Sequence, residues 1–318
     1  MRFGAAFWVN RTSWPDLRSA ARAIEEAGWD SLWIDDHLLA DEGDPRDGRF
    51  EGPVTLAALA VLTQRVRLGL LVGSNTFRNP GHTAALAATL DHLSDGRVVL
   101  GIGGGWLKSE HDAFGLDFGS GIGDRLDRLD EACGIIRRLL DGETVTHDGP
   151  AYTMREAMVP LRPVQARLPI LIGGSGPTKT LRTTARYADL WNGFGSPARI
   201  ATTSEILAQR CAEEGRPFEA IERTVTVHAV IRDTAAEAAA AWGKIAEIHG
   251  LDGHLGSDGG ERGLLIGGPP EIVADFIDGY RQNGIGEIIF VFRSPFDFET
   301  IERLGELRAA LAAVAHTT

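Results

Sequence analysis

Two cysteines in 318 residues, Cys133 and Cys211, each inside a helical pattern, leave no disulfide framework and suit a reducing compartment where thiols simply pack. Long apolar runs are also missing: each is broken by Gly, Arg or Asp well short of the roughly 20 residues that cross a bilayer, so no membrane partner is expected. The opening run Met1–Val9 lacks a basic region, an apolar signal core and a small-residue cleavage site, and a cytoplasmic protein is expected. Positive charge is scarce, with 32 Lys and Arg against 44 Asp and Glu and a net charge of -12. No broad face can neutralise a polyanion, so nucleic acid is not an expected partner, although a local site can still hold a small anion. Signatures of several chemistries are absent as well. The Gly-to-Lys spacing of a Walker A loop is wrong and no GxSxG elbow occurs. His37, His82, His92 and His111 do not show the paired spacing of a barrel metallohydrolase, so no metal is expected.

What is present is the balance of a globular chain with a sizeable core: 43% hydrophobic and 24% charged residues. Short β-branched runs alternate with longer stretches of helical spacing, the pattern of repeated βαβ units. The strands predicted are Phe3–Val9, Ser31–Ile34, Val66–Val72, Val98–Ile102, Ile170–Ile172, Leu190–Asn192, Val225–Ile231 and Glu287–Phe292. Between them fall helices over Trp14–Ala27, Pro53–Thr63, Pro80–Leu93, Gly123–Leu140, Pro177–Ala188, Ile200–Glu214, Ala235–His249, Pro270–Asn283 and Phe298–Val314, several with Pro in the first turn. Eight strands alternating with helices predict an α/β fold, a (β/α)8 TIM-type barrel, as a single domain over 1–318. Loop insertions are expected at about 39–51, 106–121, 142–169 and 250–268. In such barrels the loops that follow the strands build the site.

Asp36 and His37 close the second strand in Leu32-Trp-Ile-Asp-Asp-His-Leu, which puts an imidazole where acid–base work is done; a strand-end hydrogen bond is equally open. The strand running into Leu71, Val72, Gly73 and Ser74 ends in small and polar residues before Pro80, a plain connection or the wall of a flat ligand. Gly101-Ile-Gly-Gly-Gly-Trp106 removes side chains where a ring system or pyrophosphate can approach. Gly173-Gly174-Ser175-Gly176-Pro-Thr-Lys179 lies between strand and helix, an anion cradle or a tight turn. Trp8 and Trp106, near strand ends, can line a substrate pocket or finish the core.

Taken in order, Trp33-Ile-Asp-Asp-His37, Leu68–Pro80 with Phe-Arg-Asn-Pro, Thr89–Arg97, Leu100–Trp106, Gly123–Ala132, Ile172–Gly176 and Ala185–Asn192 resemble the luciferase-like monooxygenases over nearly the whole chain. Within that family they are similar to the branch using coenzyme F420, with FMN as the alternative cofactor. The resemblance implies that Asp36 and His37 lie beside the deazaflavin ring, His37 assisting proton transfer. It implies further that Leu71–Val72 forms a cis peptide behind the ring, that Ser74, Gly104 and Ser109 contact the ring or its tail, and that Gly173–Gly176 receive the phosphate, with Lys179 adding charge. Sugar-phosphate dehydrogenases of the group carry a Glu after the fourth strand, where this chain places Trp106, and no cationic cluster for a substrate phosphate is recognisable. The resemblance therefore implies hydride transfer with a neutral organic small-molecule substrate, in a homodimer formed by helices near the second and third strands. The alternatives are a two-component FMN monooxygenase fed by a separate cofactor reductase and a cofactor-binding barrel without turnover.

Overall fold

The computed structural model describes residues 1–41, 43–251 and 264–315. The first third of the chain runs β1 (Arg2–Trp8), α1 (Trp14–Glu26), β2 (Ser31–Ile34), α2 (Gly52–Leu62), β3 (Arg67–Leu70), β4 (Gly73–Ser74), α3 (Pro80–Leu93) and β5 (Val98–Gly103). Then come α4 (Lys108–Phe114), α5 (Ile122–Leu140), β6 (Val145–Asp148), β7 (Thr153–Ala157), β8 (Ile170–Gly173), α6 (Thr180–Tyr187), β9 (Leu190–Phe194) and α7 (Pro197–Glu213). The last third holds β10 (Glu222–Ile231), α8 (Ala235–His249), β11 (Leu264–Gly268), α9 (Pro270–Gln282), β12 (Glu287–Arg293) and α10 (Phe298–Ala315).

Eight strands close a parallel barrel in the order β1, β2, β3, β5, β8, β9, β10, β12, and β12 returns to β1. These are the eight runs read as strands. The third is interrupted at Leu71–Val72, whose peptide is cis, and the chain re-pairs as β4 against Ile102 and Gly103. Period two sorts the side chains. Ala5 and Phe7 of β1 and Ile288, Phe290 and Phe292 of β12 face the helices, whereas Ala6, Ile289 and Val291 meet Trp33, Leu71, Val99, Leu171 and Leu190 inside the barrel. Both cysteines are buried and unbridged.

Each departure from the sequence expectation has a physical cause. The 142–169 insertion pairs with itself as the β6–β7 hairpin. The 106–121 insertion contains α4, closed by Gly115 in the left-handed region. Most of the expected Gly-rich 250–268 insertion, residues 252–263, lies outside the described residues. Its end is β11, which takes Val227–Ile231 of β10 beyond the point where β9 stops pairing at Thr226. α6 begins at Thr180 and not at Pro177, since 177–179 turn and Lys179 is held by Asp127 and the Gly123 carbonyl of α5. At the barrel's amino end, buried Glu287 accepts from Ser31 and faces Arg2 and Arg67, closing the floor with charge. Burial pushes the Glu287 carboxyl up, against the pull of those guanidiniums.

Glycines make the interior possible. A Cβ at Gly101 would collide with the Leu70 carbonyl oxygen, and one at Gly103 would sit 2.7 Å from Val72 Cγ2. Gly101→Ala should therefore lower the unfolding free energy by about 2–3 kcal/mol. Gly243→Ala, in open space on α8, should raise it by about 0.5–1 kcal/mol. Urea denaturation of both variants checks the pair, and equal stabilities would contradict the steric account.

Candidate active site

Trp8, Asp36, His37, Leu71–Ser74, Gly104–Trp106, Gly174–Gly176 and Arg293 all stand at or just beyond the carboxyl ends of barrel strands, the end where barrels carry chemistry. Asp36 is committed there. Its two oxygens take Arg78 in a bidentate pair at 2.6 and 2.9 Å, and Oδ2 also accepts the Ser74 N–H at 2.9 Å. Arg78 reaches on to Glu51, which caps α2. The neighbouring Asp35 accepts the Val9 N–H and pairs with buried Arg49, which also donates to the Leu39 carbonyl and so pins the loop after β2. Burial pulls the Arg49 guanidinium down to about 10, against the opposing charge of Glu110.

His37, the residue after Asp36, has only one ring nitrogen engaged among the described residues. Its Nδ1 lies 3.1 and 3.3 Å from the two oxygens of Glu110, a buried carboxylate that also accepts the Leu38 N–H at 2.9 Å. Since a carboxylate only accepts, Nδ1 carries the proton, and Nε2 has no partner among the described residues. Burial opposes charge on His37, but the Glu110 hydrogen bond and the nearby carboxylates of Asp41, Glu110 and Asp36 outweigh it, and the pKa rises above 6.5. Burial likewise works against ionised Glu110, and His37 with the Leu38 and Leu39 N–H groups overcomes it, so that carboxyl lies below its usual range. The stabilising pair is thus complete between the two: the Glu110 contribution fades as pH falls through its lowered pKa, and that of His37 as pH rises through its raised one.

Glu110 was not singled out in the sequence. It sits one turn into α4, 73 residues from His37, and only the fold joins them. The segment after β5 therefore does hold an acid, four residues beyond Trp106, and that acid is spent on His37. Trp106 is 60% exposed and meets the His37 ring edge-on, centroids 5.3 Å apart at 82°.

The other expected residues divide. Val72 Cγ atoms fill the space over Gly103 and Gly173. The Ser74 hydroxyl bonds Thr76 at 2.8 Å, Gly104 is half-buried beside Leu126, and Ser109 is exposed on α4. In the loop after β8 the Gly174 N–H is tied to Asn192, while those of Ser175 and Gly176 have no partner among the described residues. Lys179 is already paired with Asp127 at 2.6 Å and does not turn to that loop. Trp8 is half-buried under the guanidinium of Arg293, 5.6 Å from its ring centroid, and Arg293 donates to His228 Nδ1 at 3.1 Å. The barrel mouth thus holds a buried cation that the sequence pattern did not reveal.

Fold and site together define a TIM-barrel protein whose chemistry-bearing groups line the carboxyl rim. The chain belongs to the luciferase-like monooxygenase family, whose profile its residues 2–252 match. It is 37% identical over 190 residues to an F420-dependent glucose-6-phosphate dehydrogenase of Microbacterium testaceum, covering 59% of this chain and 55% of that one. To the 4-hydroxyprotoasukamycin monooxygenase of Streptomyces nodosus subsp. asukaensis it is 29% identical over 235 residues, 71% of this chain and 61% of the other. The chain therefore spans little more than half the length of these relatives. In fold it is similar to the coenzyme F420 dependent tetrahydromethanopterin reductase of Methanopyrus kandleri, with a TM-score of 0.76 at 22% identity over 96% of this chain and 97% of that one.

The His37–Glu110 geometry makes a direct prediction. In an NMR pH titration the wild-type His37 midpoint should lie above 6.5, and Glu110→Gln should move it toward acid because the charged partner is gone while burial remains. A midpoint unmoved by the substitution would refute the pairing.

Proposed function

We propose that the protein is a coenzyme F420-dependent oxidoreductase acting as one barrel domain in the cytoplasm, with His37 as its proton-transfer residue. The observation that carries this reading is the His37–Glu110 pair: a buried carboxylate fixes one ring nitrogen and leaves Nε2 open at the strand ends, with Trp106 against the ring. The names of relatives, F420-dependent in two of the three cases above, favour the deazaflavin.

The residues fit such a group. Gly103 and Gly173 keep β5 and β8 free of side chains around Val72, giving a flat ring a smooth wall. The Ser175 and Gly176 N–H groups, without a partner among the described residues, offer donors to a phosphate ahead of α6. A bound deazaflavin supplies or accepts a hydride. His37 donates its Nε2 proton to the substrate oxygen as a carbonyl carbon is reduced, and takes that proton back when an alcohol is oxidised. Its raised pKa favours the acid form, Glu110 holds the ring in place, and Trp8 and Trp106 wall the substrate. A neutral organic substrate suits these aromatic walls; Arg293 favours an anionic substrate group as the second reading, so both classes belong in the substrate panel.

The runner-up is an FMN monooxygenase working with oxygen and a separate flavin reductase, favoured by the asukamycin-type relative. A barrel that binds cofactor without turnover is the third reading. Titrating the purified protein with F420 and with FMN by fluorescence quenching separates them. Micromolar or tighter binding of F420 alone is expected, with His37→Ala then lowering turnover by about 100-fold or more at unchanged cofactor affinity. Preference for FMN would move the assignment to the monooxygenase, binding without turnover on any substrate to the third reading, and binding of neither would overturn it.

We infer also that the chain forms a homodimer through α2 and α3. Val54 and Val61 of α2 and Leu93 of α3 are exposed apolar residues on helices whose other faces are already buried. Light scattering should give twice the 34.2 kDa chain mass; a monomer at micromolar concentration would refute it.

A further inference from the structure

Behind Ser74 lies a line of polar groups that the proposed reaction does not use. Ser74 Oγ is 2.8 Å from Thr76 Oγ1, Thr76 Oγ1 is 2.6 Å from His111 Nε2, and His111 Nδ1 is 2.8 Å from the Leu107 carbonyl oxygen. His111 is fully buried between Phe77 and Phe118, with ring centroids at 5.1 and 4.6 Å. The stack continues outward. Arg125 lies over Phe118 at 3.8 Å and donates to the Gly105 carbonyl, so the loop above the hydroxyls is held from the far side. Gly105 passes so close that a Cβ there would sit 2.6 Å from Thr76 Oγ1 and 2.7 Å from Ser74 Oγ.

The direction of these bonds follows from donor chemistry. A backbone carbonyl only accepts, so His111 Nδ1 must carry a proton. In a neutral ring Nε2 is then the acceptor, and Thr76 must donate to it. Having spent its one proton there, Thr76 can only accept from Ser74. The Ser74 proton is therefore turned inward and its lone pairs outward, on a half-buried hydroxyl whose own backbone N–H is fixed by Asp36. A freely rotating serine would be donor or acceptor to suit any ligand; this one has a single polarity.

We propose that His111 is a positioning residue which, through Thr76, sets Ser74 as a hydrogen-bond acceptor, so that Ser74 takes an N–H from the ring edge of the bound cofactor and refuses a carbonyl. This rests on the reading of the site as a deazaflavin site. The relay explains why a fully buried histidine stands next to the site without reaching it, and why a glycine is needed where the loop crosses the two hydroxyls.

The first test needs no cofactor. In the 15N-histidine-labelled full chain at neutral pH, the resonances lost in His111→Gln should be those of a neutral ring protonated at Nδ1. Thr76→Val should shift the Nε2 resonance, because its donor is gone, and Thr76→Ser should leave it in place. An Nε2-protonated ring or an imidazolium would overturn the proposal. The second test is F420 affinity. Thr76→Val should weaken binding about fivefold to tenfold, the effect of losing one oriented hydrogen bond. Thr76→Ser should bind as wild type, and Ser74→Ala added to Thr76→Val should cost nothing further. Wild-type binding with Thr76→Val unaffected overturns the relay and leaves the cofactor assignment standing; failure of the wild-type chain to bind F420 overturns the assignment and the role of Ser74 with it.

Discussion

The rim of this barrel depends on how the Asp36 carboxylate is spent. One oxygen takes both Arg78 and the Ser74 N–H, and the other completes the bidentate pair, so the end of β2, the re-paired β4 and the turn leading into α3 are held at a single point. Because Arg78 also reaches Glu51, the start of α2 joins the same knot. A buried ion pair of this kind adds little net stability, since desolvation cancels most of its attraction, but breaking it leaves a buried charge without a partner and costs about 3–5 kcal/mol. What it contributes is definition. Loops that would otherwise be free are fixed relative to the strands, and a site on fixed loops can hold its groups to the tolerance that chemistry needs.

With Asp36 committed, the adjacent His37 is freed for another partner and finds it on α4. Two acids serve two ends from one short stretch of rim. Asp36 neutralises a guanidinium and holds backbone, whereas Glu110 holds an imidazole and raises its affinity for a proton. Asp41 and Asp36 add to that field, so the acidic surroundings raise the affinity of His37 for a proton against the cost of burial.

Much of this was legible in the sequence, and the parts that were not share a cause. The eight barrel strands follow from β-branched runs bounded by Gly and Pro, and several helix starts from Pro and a capping residue, as at Ser13-Trp14-Pro15 and Asn79-Pro80. The position of His37 at a strand end follows from the same pattern. Its partner Glu110 does not, because nothing in a stretch reading Trp-Leu-Lys-Ser-Glu-His tells which face of α4 turns to a strand 73 residues earlier. Nor does Arg293, which looks like the polar end of an apolar strand until closure of the barrel brings it over Trp8. β11 was hidden by its glycine-rich approach, and it exists because β10 outlasts β9 and leaves backbone groups to be paired. Lys179 stands beside the Gly173–Gly176 loop in sequence only, because its ammonium is claimed by Asp127 from a different helix.

The glycines show most plainly how frame and function separate. Gly101, Gly103 and Gly173 are required by the Leu70 carbonyl and the Val72 side chain, that is, by the barrel's own interior, and the smooth wall they leave is a consequence that any flat ring can use. A frame of this sort does not choose between hydride transfer and oxygen chemistry. What distinguishes this rim is its polar groups: a histidine held at Nδ1 by a buried acid, and the Ser74 and Thr76 hydroxyls in line with buried His111. A solved barrel shares this fold at 22% identity, so the strands can keep their register while most side chains differ, and architecture by itself does not name a reaction.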